Sequence, residues 1–129
     1  MFTAQQLKDA HAKVKTGADY PAYADELRNL GVVSYDFLVA DGSTTFYAED
    51  EESVSLKGDL SPVAVADAPS KDKLRAALAT HQKGNTDFPT FRQQAAEAGV
   101  AQWTTDLSNM EVVYVNKQEK VMLAEEIPA

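Results

Sequence analysis

An α+β fold, built twice from an α-α-β-β(-β) unit, follows from three observations. The chain repeats itself: Asp19, Pro21, Gly31 and Val32 recur as Asp87, Pro89, Gly99 and Val100, at a constant offset (87 − 19 = 68). Aromatic residues recur at the same offset, as Tyr20/Phe88, Tyr23/Phe91, Tyr35/Trp103 and Phe46/Tyr114. Within each copy the apolar period then changes from about 3.6 to 2, from helix to strand. Two amphipathic helix pairs on antiparallel sheet, related by a pseudo-two-fold axis, satisfy this pattern. The identical residues are those that start and stop helices, which favours duplication over chance agreement.

The first copy spans about 3–57. Thr3-Ala4-Gln5-Gln6 has the form of a capping box and starts a helix. Leu7, Ala10 and Val14 form its apolar stripe, and Gly17 ends it. Asp19 and Pro21 start a second helix, the carboxylate accepting orphan N–H groups and the proline fitting the first turn. Tyr20, Tyr23, Ala24, Leu27 and Leu30 form its inward face, and Gly31 stops it. Val33, Tyr35, Phe37 and Val39 then alternate with Ser34, Asp36 and Leu38 as a half-buried strand. Asp41-Gly42 makes a tight turn, and Thr44 to Ala48 returns. The acidic run Glu49 to Glu52 reads as a hairpin tip, without the alternation and glycine of a calcium loop. A third strand covers Val54 to Leu56.

A linker of about 58–69 leads to the second copy, about 70–127. Ser70 caps a helix bearing Leu74, Ala77, Leu78 and His81, ended by Gly84. The next helix runs from Pro89 to Ala98 with Phe88, Phe91, Ala95 and Ala98 inward, and Gly99 stops it. Ala101, Trp103, Thr105 and Leu107 point inward from the following strand; Glu111–Asn116 and Val121–Glu125 complete the sheet.

At 129 residues the expectation is a single domain, 1–129. The formal net charge of −8 opposes non-specific attraction to nucleic acid or anionic membrane. The absence of cysteine excludes disulfides, thiolate nucleophiles and cysteine-based zinc sites. No apolar run approaches the ~20 residues of a membrane helix, and Met1–Lys15 has no apolar signal core. A cytoplasmic protein is expected, without nucleic-acid or membrane partner and without cofactor or metal. Nucleotide-binding loops and hydrolase signatures are missing.

The segment Ala10 to Tyr23, A-H-x-K-V-K-x-G-A-D-Y-P-x-Y, carries a resemblance, as do Gly31-Val32 with Tyr35 and the Val39–Gly42 turn. So do His81 to Phe91, H-Q-x-G-x-T-D-F-P-T-F, and the terminal Glu125–Pro128. Together they resemble the YdfO-like family, whose members occur in prophage regions and are often labelled "phage envelope protein". The resemblance implies a compact α+β domain and brings no established activity, cofactor or catalytic residue.

The candidate site residues are His11, His81, Tyr20 and Tyr23. Both histidines sit on the first helix of their copy, His81 within the Leu74/Ala77/Leu78 stripe and His11 at the edge of its own. They either face a groove at the seam between copies, as base or ligand, or cap a helix end where the dipole favours a cation. Asp19 and Asp87 read as helix caps before they read as a catalytic pair. The repeated aromatics read as core, the alternative being a polar pocket at the seam where tyrosine hydroxyls need partners. The lysines of the two first helices scatter over solvated faces without interleaved stacking aromatics. Three functions follow. The first is a non-enzymatic binding or interaction module acting through a protein partner or small ligand. The second is a small enzyme or ligand sensor using the seam; the third, an acidic mimic of nucleic acid. A monomer is compatible with all three. So is a homodimer paired through an edge strand at Val121–Glu125 that Glu125 and Glu126 would blunt.

Overall fold

Local start and stop signals set the helices. The computed structural model describes residues 2–14, 19–50, 52–57 and 61–126. Thr3 begins the first helix (α1, Ala4–Ala12) through a complete capping box, its hydroxyl accepting from Gln6 N–H while the Gln6 side chain accepts from Thr3 N–H. The helix ends at Lys13, before Gly17, which lies outside the described residues. The second helix (α2, Tyr20–Leu30) has Pro21 in its first turn and ends at Gly31 with φ 101°. Asp19 holds the N-cap position, yet its carboxylate accepts no N–H of α2. Its backbone is already helical (φ −83°, ψ −5°), whereas a capping residue is normally extended. The expected cap is therefore absent at Asp19.

Its counterpart behaves as expected. Asp87 is extended at ψ 174° and accepts from Thr90 N–H at 2.9 Å, starting the fourth helix (α4, Phe88–Glu97). Ser70 likewise accepts from Lys73 N–H and starts the third (α3, Lys71–Gln82).

The strands are β1 (Val32–Leu38), β2 (Thr44–Ala48), β3 (Ser53–Leu56), β4 (Gln102–Asp106), β5 (Glu111–Val115) and β6 (Val121–Glu126). They form one antiparallel sheet in the order β3-β2-β1-β4-β5-β6, so each three-strand meander lies side by side with the other along β1 and β4. In that central pair Asp36 lies opposite Thr104, and the Thr104 hydroxyl donates to its carboxylate at 2.7 Å. These two residues are 68 apart, the offset read in the sequence.

One strand face carries Tyr35, Phe37, Phe46, Trp103, Thr105, Val112 and Tyr114, all buried beneath the helices. Leu7, Leu27 and Leu74 complete the core from above, each fully buried, which contributes roughly 1.5–3 kcal/mol per side chain. The strand phase departs from expectation at Val33, which is half-buried while Val32 is 2% exposed. The register slips between Val32 and Ser34. This irregularity lets Val32 and Tyr35 share the inner face although strict alternation separates them.

Arg92, one turn into α4 and only 2% exposed, interrupts an otherwise apolar stripe. Its guanidinium donates to three backbone carbonyls: Val39 at 2.8 Å, Ser61 at 2.9 Å and Ala40 at 3.0 Å. A buried cation needs such partners, and here they fasten the β1–β2 turn and the start of the linker to α4. At the far end of α4, Ala66 and Ser70 N–H groups satisfy the Ala96 and Ala98 carbonyls. Gly99 follows with φ +90°, its Cα so close to the linker that an added Cβ would stand 2.7 Å from Pro69 Cα.

Candidate functional site at the seam of the helix pairs

The helices leave a cavity of about 1070 Å³ against the inner sheet face, with walls from every helix and from strands β1 to β6. Four residues singled out in the sequence, His11, Tyr20, Tyr23 and His81, all line it. Their surroundings differ.

His11 stands where the two helix pairs approach. Its exposed ring meets the edges or faces of Tyr23 from α2, at 5.7 Å between centroids, and Phe88 from α4, at 5.5 Å. Phe88 in turn packs against Phe37 and Trp103, so the imidazole sits over an aromatic floor.

His81 belongs to the last turn of α3 and stacks on Phe91, with centroids 4.4 Å apart and planes 10° from parallel. Its Nδ1 lies 3.1 Å from the Thr86 carbonyl and 3.0 Å from the Thr86 hydroxyl. A carbonyl only accepts, so Nδ1 carries the proton and Nε2 the lone pair. Burial pulls the imidazole below its ordinary value, and the bond to Thr86 and the charge of Asp87 oppose this in part. At neutral pH His81 is therefore a neutral acceptor at Nε2, and that nitrogen has no hydrogen-bond partner among the described residues.

Tyr20 turns its hydroxyl inward, where it shares hydrogen bonds with Tyr35 and, at 2.9 Å, with Thr105. Burial raises the Tyr20 and Tyr35 hydroxyls above the ordinary tyrosine value, and burial above all does the same for Tyr23. These groups stay protonated near neutrality. They are donors and acceptors, not bases.

Trp103 organises the floor. It stacks on Phe37 at 4.5 Å and contacts Phe88, Phe91 and Tyr114. Its repeated position was visible in the sequence, but the residue reads there as core. Missed altogether were Gln82 and Glu125, which join the cavity wall opposite the first-half elements. Gln82 donates its amide to Glu125 at 3.0 Å, and Glu125 pairs with inward-facing Val112 across β5 and β6. An edge-strand carboxylate reads as solvent protection, so nothing local in the sequence directs it here. Lys8 and Lys57 line the cavity from α1 and from just beyond β3.

Asp87 also borders the cavity but spends one oxygen on the α4 cap. Among the described residues no group of three or more His, Cys, Asp or Glu side chains converges on a metal position. No helix among them is long and apolar enough to cross a membrane. The site is an aromatic chamber with a few oriented polar groups, the usual composition of a small-molecule pocket.

No curated protein matches the chain. The model of a family described as "Protein of unknown function (DUF1398)" matches residues 8–126, and the chain belongs to that family.

Proposed function

We propose that this member of the DUF1398 family is a small-molecule-binding domain whose ligand occupies the seam between its helix pairs. The cavity carries this reading. Its volume of about 1070 Å³ reaches the upper end of the ~300–1,000 Å³ common for ligand sites. Aromatic faces supply most of the contact, while His81 Nε2 and Glu125 supply direction. The reading joins a non-enzymatic binding role to the seam pocket, with His11, His81, Tyr20 and Tyr23 in its wall. Placement in the cytoplasm, as a monomer or homodimer, and kinship with the prophage-borne YdfO-like proteins belong to the same proposal.

One observation favours an enzymatic second reading. A neutral imidazole with its lone pair available also suits a general base. Binding remains the better-supported role, since the cavity's Tyr20 and Tyr35 are held protonated and share a hydrogen bond with one another.

Native mass spectrometry on protein purified gently from its own host tests the proposal. The expected result is one chain, or two, carrying a retained small-molecule mass that is released on denaturation. Bare chain, or chain joined only to another protein, would overturn it in favour of a protein partner.

A further inference from the structure

The cavity is not electrically uniform. The sheet order puts β3 and β6 at opposite edges. Lys57 lines the cavity from beyond β3, and Lys8 from α1, which packs near that strand. At the other edge two lining groups are acceptors. His81 presents Nε2, because Nδ1 is committed to Thr86. Glu125 lies on the inner face opposite Val112, and Gln82 holds one of its two carboxylate oxygens at 3.0 Å. The second oxygen has no hydrogen-bond partner among the described residues. Next to these acceptors stand the rings of Phe91, Trp103 and Tyr114.

Carboxylate, neutral imidazole and aromatic faces together favour one kind of group. A protonated amine donates to both acceptors, is attracted by the carboxylate and is stabilised over an aromatic face. A carboxylate there would meet Glu125 with like charge. A neutral hydroxyl would form one hydrogen bond and gain no charge attraction. The remaining aromatic floor, from Trp103 to Phe37 and Phe88, has the shape and chemistry to cover a flat apolar body. The net charge of −8 draws a cation toward the molecule as a whole.

We infer that the seam cavity takes an arylalkylamine, its ammonium held between Glu125 and His81 at the β6 edge and its ring on the Trp103 floor. This inference rests on the binding function proposed above and names the ligand class of that site.

Three probes with one aromatic body and different head groups separate the alternatives. Isothermal titration of the wild-type chain with 2-phenylethylamine, 2-phenylethanol and 3-phenylpropanoate measures each head group directly. The amine is expected to bind roughly tenfold tighter than either of the others, as a charge-assisted hydrogen bond exceeds a neutral one. Glu125→Gln keeps the Gln82 contact possible and removes the charge. It should bring the amine to the affinity of the alcohol, while circular dichroism confirms the fold.

Equal or tighter binding of the alcohol or the carboxylate would overturn the inference and leave the cavity as a ligand site. An amine preference that persists in Glu125→Gln would also overturn it, since the charge would then act elsewhere. Binding by none of the three removes the arylalkylamine class. In that event a small-molecule mass in native spectrometry still upholds the binding function, and its absence ends both.

Discussion

Two clusters whose residues stand 68 positions apart in the sequence are built from opposite chemistry. Tyr20 of α2 reaches Tyr35 of β1 and Thr105 of β4, and the three meet through their hydroxyls. Sixty-eight positions from each of these stand Phe88, Trp103 and Phe37. They meet as rings, Phe88 against Phe37 at 5.3 Å and Phe37 stacked on Trp103 at 4.5 Å. One cluster is tied by directional hydrogen bonds, the other by dispersion and apolar burial. A helix thus packs on the central strands through either solution, provided each is internally complete. It also explains the cavity's character, since both clusters border it: hydroxyls on the α2 side and bare rings on the α4 side.

The largest asymmetry is Arg92, whose counterpart at the same offset is Ala24, 1% exposed. Among the described residues only the second half inserts a cation to fasten the other half's turn. Arg92→Ala should cost about 3 kcal/mol in urea unfolding, because one buried and two part-buried carbonyls lose their donor. A loss under about 1 kcal/mol would mean that water replaces the guanidinium and the fastening is dispensable.

Next come the two glycines that stop α2 and α4. Both have positive φ, but only Gly99 is pressed against backbone: an added Cβ meets nothing within 4 Å at Gly31 and Pro69 Cα at 2.7 Å at Gly99. Gly31→Ala should cost about 1–2 kcal/mol from the left-handed backbone alone. Gly99→Ala should cost clearly more, since the linker must move as well. Equal losses for the two variants would break the distinction.

The clusters themselves can be exchanged. Tyr20→Phe removes one hydroxyl and leaves Tyr35 and Thr105 with each other, a loss of about 1 kcal/mol. Phe88→Tyr places a hydroxyl among Phe37, Trp103 and His11, at a cost of about 1–3 kcal/mol unless it reaches the open cavity. If Phe88→Tyr is neutral by thermal unfolding, the apolar cluster is wetter than its ring contacts indicate.

The smallest expected effect is a pH dependence from His81. Its folded value lies below the ordinary 6.5 because burial disfavours the cation. As pH falls through 6.5, the unfolded chain takes up the proton first, so stability declines until the folded value is passed. The contribution is complete above 6.5 and diminishes below it. Denaturant midpoints for His81→Phe, compared with wild type across this window, should show a shallower decline in the variant. Parallel curves would mean that burial of the neutral ring adds no linkage.

Much of the fold was legible because its signals are local. Thr3, Ser70 and Asp87 announce helix starts through side chains that reach only three residues on. The change of period from helix to strand is equally local. Asp19 misled because a capping residue type says nothing of the backbone angle it will adopt. Val33 misled because a slipped register leaves no mark on the apolar pattern.

The site was legible only in part. His81 stood out as a polar residue in an apolar stripe, and its partner Thr86 is five residues away. Arg92 did not stand out, as its three carbonyl partners are 31 to 53 residues distant and backbone atoms have no sequence signature. Glu125 was hidden for the same reason: its tie to Gln82 spans 43 residues. Groups that act through long-range contacts become visible only once the chain has closed on itself.

The central claim is that the seam is where this protein binds. The most direct test is a small-fragment library titrated into ¹⁵N-labelled protein and followed by amide shifts. The account predicts that fragment hits converge on His11, Tyr23, His81 and Phe88 and leave the outer sheet face at Asp36 and Thr104 unmoved. Hits that gather on the outer face, with the seam amides silent at saturation, would contradict it.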